Sequence, residues 1–170
     1  MRSNFTSGCG LGPRRGNTAR LSPCRRYRFA LWRTWDANAG RVMFIGLNPS
    51  TADETTDDPT LVRCMNFARY WGYGGVCMAN LFAFRATQPE SMKAAAEPVG
   101  RRNDYWLRKL AGESDLVVAA WGNDGDYLNR SHTVRGIMPS LYCLKLNGSG
   151  EPAHPLYQRA DSVPVLLAQL

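Results

Sequence analysis

The sequence predicts an α/β fold, a three-layer α/β/α sandwich around a central, mostly parallel four-stranded sheet. Three observations carry that expectation. Short apolar runs that end in turn residues recur along the chain, segments with helical spacing of apolar residues separate them, and helix-start signals follow the runs. No internal repeat or low-complexity tract interrupts the order beyond the Gly- and Arg-rich first 26 residues.

The first strand is Arg41 to Leu47, an apolar run that drives into the turn Gly46-Leu47-Asn48-Pro49. A helix then starts with Asp58 as N-cap and Pro59 at the first helical position, with Leu61, Cys64, Met65 and Ala68 on one face. It ends at the glycines of Gly72-Tyr-Gly-Gly75. The second strand is Val76 to Phe82. Thr87-Gln-Pro-Glu90 offers another N-cap with proline and opens a short helix through Ala96, and a further helix runs from about Gly100 to Ala111. The third strand, Asp115 to Trp121, ends at Gly122-Asn-Asp-Gly125. Asn129 to Ile137 forms a helix, Ser140 to Leu146 the fourth strand, and His154-Pro155 sits in a loop or at a helix N-terminus.

A chain of 170 residues with 44% hydrophobic content suffices for one domain with a substantial core. Its net charge of +7 is uneven: residues 1–35 hold eight arginines and no acid, so the remainder is close to neutral. Residues 1–26 read as a basic flexible arm and 27–170 as a single domain. Arginine suits phosphate contact because its planar fork pairs with two oxygens at once, which makes Arg14, Arg15, Arg25, Arg26 and Arg28 candidates for binding DNA. A basic tail that serves solubility alone is the alternative. The amino terminus lacks the apolar segment of a signal peptide, and no window approaches a membrane span, so the expected location is the cytoplasm, without membrane contact. The five cysteines are scattered without a C-x-x-C pair, which fits reduced, mostly buried thiols rather than a disulfide frame, a zinc site or an iron–sulfur cluster.

In a parallel sheet the loops after the strands' carboxyl ends converge on one rim. Those loops hold Asn48, then Asn80 to Arg85, then Trp121 to Asp126, and the fourth leads to His154. Asn48 at such a position can hold a water or read a base; Asn48 and Pro49 can equally do no more than shape a turn. No phosphate-loop fingerprint and no G-x-S-x-G elbow occurs, which argues against nucleoside triphosphate hydrolysis and serine hydrolysis.

The set Gly46-Leu-Asn-Pro49, Asn80-Leu-Phe-Ala-Phe-Arg-Ala-Thr87, Trp121-Gly122 and His154-Pro155-Leu156 is similar to motifs of the uracil-DNA glycosylase superfamily, with Gly-x-Asn-Pro closest to its mismatch-specific branch. From about Cys24 to Tyr157 the chain also resembles a bacterial and phage family, the domain of unknown function 1643. The shared order is Cys-Arg-x-Tyr-Arg, Leu-Asn-Pro-Ser-Thr-Ala-Asp, Asp-Asp-Pro-Thr, Asn-Leu-Phe-Ala-x-Arg-Ala-Thr, Pro-Val-Gly-x-x-Asn-Asp, Trp-Gly and His-Pro-Leu-Tyr.

The glycosylase resemblance implies hydrolysis of an N-glycosidic bond to a flipped pyrimidine in DNA, leaving an abasic site without cofactor, metal or obligate protein partner. Asn48 would position the attacking water through its side-chain carbonyl, and His154 would donate a hydrogen bond to O2 of the departing base. Asn80 would read the base's Watson–Crick edge, with Gly46, Leu47, Pro49, Phe82, Arg85 and Trp121 around it. A flipped base is gripped by aromatic faces, for which Phe82, Phe84, Tyr70, Trp71 and Trp121 are candidates, although aromatics at these spacings also serve as core. Leu156 and Tyr157 would wedge into the vacated gap or simply pack a helix's first turn. Asp58 is explained by capping, whereas Asp53 is free to act as a nearby carboxylate.

One departure points to the substrate. Uracil-specific enzymes follow the first motif with glycine and a bulky aromatic that screens the base's 5 position, while here Pro49 is followed by Ser50-Thr51-Ala52. A site without that screen admits a pyrimidine enlarged at C5, such as the glucosylated hydroxymethylcytosine of phage DNA, and hence a role in antiviral defence. Two other classes are compatible with the same residues: a nucleic-acid-binding module that does not cut, and a hydrolase of free nucleosides or nucleotides.

Overall fold

The computed structural model describes residues 16–138 and 140–169. Among them one seven-stranded mixed sheet is formed by β1 (Gly16–Leu21), β2 (Arg28–Thr34), β3 (Val42–Gly46), β4 (Gly75–Asn80), β5 (Leu116–Ala119), β6 (Tyr142–Cys143) and β7 (Val165–Leu166). The order across the sheet is β1-β2-β4-β3-β5-β6-β7. The helices are α1 (Pro59–Tyr70), α2 (Pro89–Lys93), α3 (Asn103–Gly112) and α4 (Arg130–Ile137).

β3 lies at the centre because it can be buried on both faces. Met43 and Ile45 join one core cluster, Val42 and Phe44 the other, and all four are fully buried. The first cluster receives Trp106, Leu107 and Leu110 of α3 and Val134 of α4; the second receives Leu61, Cys64, Phe67 and Ala68 of α1. Helix α1 begins as its sequence demands, with the Asp58 Oδ1 accepting the Leu61 N–H at 2.8 Å and Pro59 in the first turn. β3 pairs in parallel with β4 and β5, and β5 in parallel with β6, so the carboxyl ends of these strands share one rim.

Three strands go beyond the expected four. β2 runs antiparallel to β4, β1 antiparallel to β2, and β7 antiparallel to β6. β2 escapes a hydropathy reading because it carries Arg28 and Arg33, both buried, at 4% and 1% exposure. Arg33 satisfies its guanidinium on Asp57 at 2.8 Å and on the carbonyls of Trp32, Asp53 and Thr56, so a charge stands where a strand pattern leads one to expect an apolar residue. The sheet begins at Gly16, inside the segment read as an arm, and Arg14 and Arg15 lie outside the described residues. The fourth expected strand shrinks to Tyr142–Cys143, and the short helix after Thr87 to Pro89–Lys93, whose N-cap Gln88 makes no side-chain capping bond. Cys64, Cys77 and Cys143 are buried free thiols, and Cys24 is exposed. No described helix is long and apolar enough to cross a membrane.

Candidate functional site

A cleft of about 720 Å³ opens at the carboxyl rim of β3, β4 and β5, where Asn48, Asn80, Trp121 and His154 all line it. Its two asparagine loops are tied together beyond the strands: the Leu81 N–H donates to the Gly46 carbonyl at 2.9 Å and the Phe82 N–H to that of Leu47 at 3.0 Å. Asn48 is half-buried, and its Nδ2 donates to the carbonyls of Ala86 at 2.9 Å and Pro49 at 3.1 Å. Those two acceptors fix which way the amide faces. Both N–H groups are consumed, and the side-chain oxygen is left as the acceptor on offer.

Asn80 ends β4 at 4% exposure, and its Nδ2 is buried with no hydrogen-bond partner. Such a group is costly unless something supplies the missing acceptor. Gly46 stands opposite in the parallel register, and a Cβ there would lie 2.9 Å from the Asn80 Oδ1. Glycine at position 46 thus makes room for the amide. The turn that carries Asn80 is clamped from behind: Asn103 Nδ2 donates to the carbonyls of Asn80 and Leu81, and Arg130, paired with Asp104 at 2.7 Å, donates twice to Leu81. The sequence held these clamps in Asn103-Asp104, but their partners are distant in the chain.

His154 precedes a 3-10 turn, Pro155–Tyr157, and caps it with Nδ1 accepting the Leu156 N–H at 3.3 Å. An accepting Nδ1 assigns the proton of a neutral ring to Nε2. Burial holds the imidazole's pKa below its ordinary value, with Asp58 opposing the shift, so the neutral form prevails. The cleft therefore holds a neutral N–H donor. Leu156 and Tyr157 follow at 42% and 84% exposure, both lining the cleft mouth.

Trp121 forms part of the wall but is 1% exposed, with its Nε1 donating to Glu151 Oε2 at 2.6 Å. Gly125 packs so closely on the indole that a Cβ would meet its Cδ1 at 2.1 Å. The ring is held as structure. Phe82 is fully buried against Tyr127 at a ring separation of 5.7 Å and does not line the cleft. Trp71 stacks on Phe44 and Phe67, Phe84 packs edge-on to Tyr27, and Tyr70 is exposed on α1 away from the cleft. Asp53 also stays out, its Oδ1 taken by Thr55 and Thr56, which hold its pKa down to about 2.

The basic residues divide. Arg25 makes a two-pronged pair with Glu54 at 3.0 and 2.9 Å, Arg26 lies over the Phe84 ring, and Arg85 donates to the Arg25 carbonyl. The Arg85 N–H bonds the Arg26 carbonyl, and the Arg28 N–H that of Ala83, so this turn sits at the rim where β4 leaves the sheet. Arg28, expected to contact DNA, is instead buried, and it lines the cleft, as do Asp58, Leu61 and Met78. Pro49 is buried behind Asn48, its carbonyl accepting from Ala86. Arg28 and Asp58 are the cleft residues that the sequence does not place there: Arg28 reads as a candidate for DNA contact, and Asp58, which does cap α1, reads as a cap alone.

No curated protein and no solved structure matches the chain. The profile of the family described as "Protein of unknown function (DUF1643)" matches residues 28–156, a span that includes every residue placed in this cleft except Tyr157 and Gln158. The chain belongs to that family.

Proposed function

We propose that this protein is a DNA glycosylase that hydrolyses the N-glycosidic bond of a flipped, modified pyrimidine and leaves an abasic site. The observation that carries the reading is the meeting in one cleft of an acceptor amide oxygen on Asn48, an unpartnered buried amide on Asn80 and a neutral imidazole on His154. Cleavage needs a positioned water, an edge-reading group and a donor to the departing base's oxygen, and these three side chains match those needs in that order. Asn48 orients the water, since an amide oxygen accepts a hydrogen bond but is a poor base. His154 Nε2 donates to O2 as negative charge collects there. The parallel strands β4-β3-β5-β6 with helices on both faces support a glycosylase-like sandwich core, extended here by antiparallel strands.

Ser50 and Ala52 line the cleft where a bulky screen would stand, which supports a base enlarged at C5, such as glucosylated hydroxymethylcytosine, and a cytoplasmic role against phage DNA. Arg25, Arg26 and the amino-terminal arginines supply phosphate contact. Oligonucleotides containing uracil, a G·U or G·T mismatch, or glucosylated hydroxymethylcytosine, incubated with the protein and then treated with alkali, test the reading. Strand breaks at the modified base that vanish in Asn48→Ala and His154→Ala are expected; intact strands on every substrate sink it. Removing residues 1–15, which leaves β1 whole, should weaken DNA binding and flatten its salt dependence, whereas an enzyme of free nucleotides is indifferent to the truncation.

A further inference from the structure

Among the described residues three arginines are almost wholly buried: Arg28, Arg33 and Arg130, at 4%, 1% and 5% exposure. A buried guanidinium is normally matched by a carboxylate, because an unpaired charge in the interior is costly. Arg33 meets Asp57 at 2.8 Å and Arg130 meets Asp104 at 2.7 Å. Arg28 meets no carboxylate at ion-pair distance among the described residues. Its side chain makes one hydrogen bond, Nη1 to the Ala52 carbonyl at 2.7 Å, and its Nε is buried without an acceptor. The cleft acid that it feels, Asp58, has one oxygen engaged on the Leu61 N–H as the cap of α1.

This cation with no paired acid lines the same cleft as the unpartnered amide of Asn80. Both unmet groups are donors. Leu31, Leu61 and Met78 line the same cleft, and apolar walls strengthen any charge pair formed within it. Burial brings the pKa of Arg28 down to about 10, which leaves it charged at neutral pH. We propose that Arg28 receives an anionic group of the ligand, so that the cleft takes a nucleotide bearing a phosphate or an acidic substituent on its base against the guanidinium. The nucleotide part of this inference rests on the glycosylase reading, and the demand for negative charge rests on Arg28 alone. Phosphate and carboxylate present the same two-oxygen face to a guanidinium fork.

Calorimetric titration of the full chain with 2′-deoxycytidine, its 5′-monophosphate and 5-carboxy-2′-deoxycytidine tests it. At least one anionic ligand should bind about tenfold or more tightly than the neutral nucleoside, in line with a charge-assisted bond in a buried site. Arg28→Gln should abolish that preference and Arg28→Lys should keep part of it. A gain from the monophosphate alone assigns the phosphate, and a gain from the carboxyl alone assigns the base substituent. Equal affinity for all three ligands, failure of both anionic ligands to bind, or a preference that persists in Arg28→Gln overturns the proposal. If Arg28→Gln does not fold, the wild-type comparison and Arg28→Lys still decide. Charge preference without abasic sites in the strand assay removes only the glycosylase reading, whereas strand cleavage without charge preference removes only this inference.

Discussion

Gly46 and Asn80 are register partners at the carboxyl ends of the neighbouring parallel strands β3 and β4, and a methyl group on Gly46 would stand 2.9 Å from the Asn80 Oδ1. The contact is side chain against side chain, so Gly46→Ala must displace the amide rather than the sheet. Overpacking of this kind costs about 1–3 kcal/mol. A modest fall in the urea midpoint is expected, together with a loss of ligand affinity far beyond what the stability change explains. A Gly46→Ala protein with unaltered ligand affinity would show that Asn80 does not read the ligand.

Asn48 spends both of its N–H groups on the carbonyls of Pro49 and Ala86. Asn48→Asp, nearly identical in shape, turns two attractions into two repulsions at neutral pH. The expected loss is about 1–3 kcal/mol, since two acceptors lose their donors. It should shrink at about pH 4, where the introduced carboxyl gains a proton and can donate once again. Urea denaturation at both pH values checks this, and equal losses at the two would mean that the amide's anchoring is not what holds the loop.

Much of this cleft was legible in the chain because its key residues sit at local signals. Asn48 follows an apolar run into a Gly-x-Asn-Pro turn, Asn80 closes another run, and Asp58-Pro59 opens a helix. What stayed hidden depends on partners far away in the sequence. β2 reads poorly because Arg28 and Arg33 interrupt its hydropathy, and Arg33 is tolerated because Asp57 and the carbonyls of Asp53 and Thr56, all 20 or more residues further on, meet its guanidinium. Phe82, an aromatic in the loop after β4, reads as a candidate to grip a flipped base. It turns instead into the core against Tyr127, a choice set by the packing of a segment some 45 residues on. Glu151 carried no local signal at all, yet it holds the indole of Trp121.

Burial depresses the pKa of His154, and the unfolded chain therefore takes up that proton at a higher pH than the fold does. Folding stability should decline as pH falls below the ordinary histidine value of 6.5, and the decline should level out below the folded pKa. His154→Gln lacks the titration and should lose less stability between about pH 7.5 and about pH 5 than the wild type does. The acidic limb of any cleavage profile should likewise lie below the ordinary histidine range, because the neutral ring persists to lower pH. Urea midpoints of the two proteins at both pH values test the linkage; parallel declines would show that another group is responsible.

Glu151 is a nearly buried carboxylate, 9% exposed, that accepts from Trp121 Nε1 at 2.6 Å and Ser131 Oγ at 2.8 Å, with Arg135 Nη2 at 3.5 Å. It joins the strand-end tryptophan to α4 and to the loop that leads into His154, so it couples the wall of the cleft to the donor at its mouth. Glu151→Ala leaves an indole N–H, a hydroxyl and a guanidinium facing one void, and a loss of about 3 kcal/mol is expected. Glu151→Gln keeps a single acceptor oxygen and loses the charge, so its cost should be clearly smaller. Because Gly125 presses on the indole, the ring has no free space on that side once its anchor is gone. Ligand affinity should therefore fall in Glu151→Ala even at temperatures where the fold is intact. Urea denaturation followed by circular dichroism, with titration of the same ligand, separates the two effects; a Glu151→Ala protein as stable as the wild type would mean that packing alone fixes Trp121.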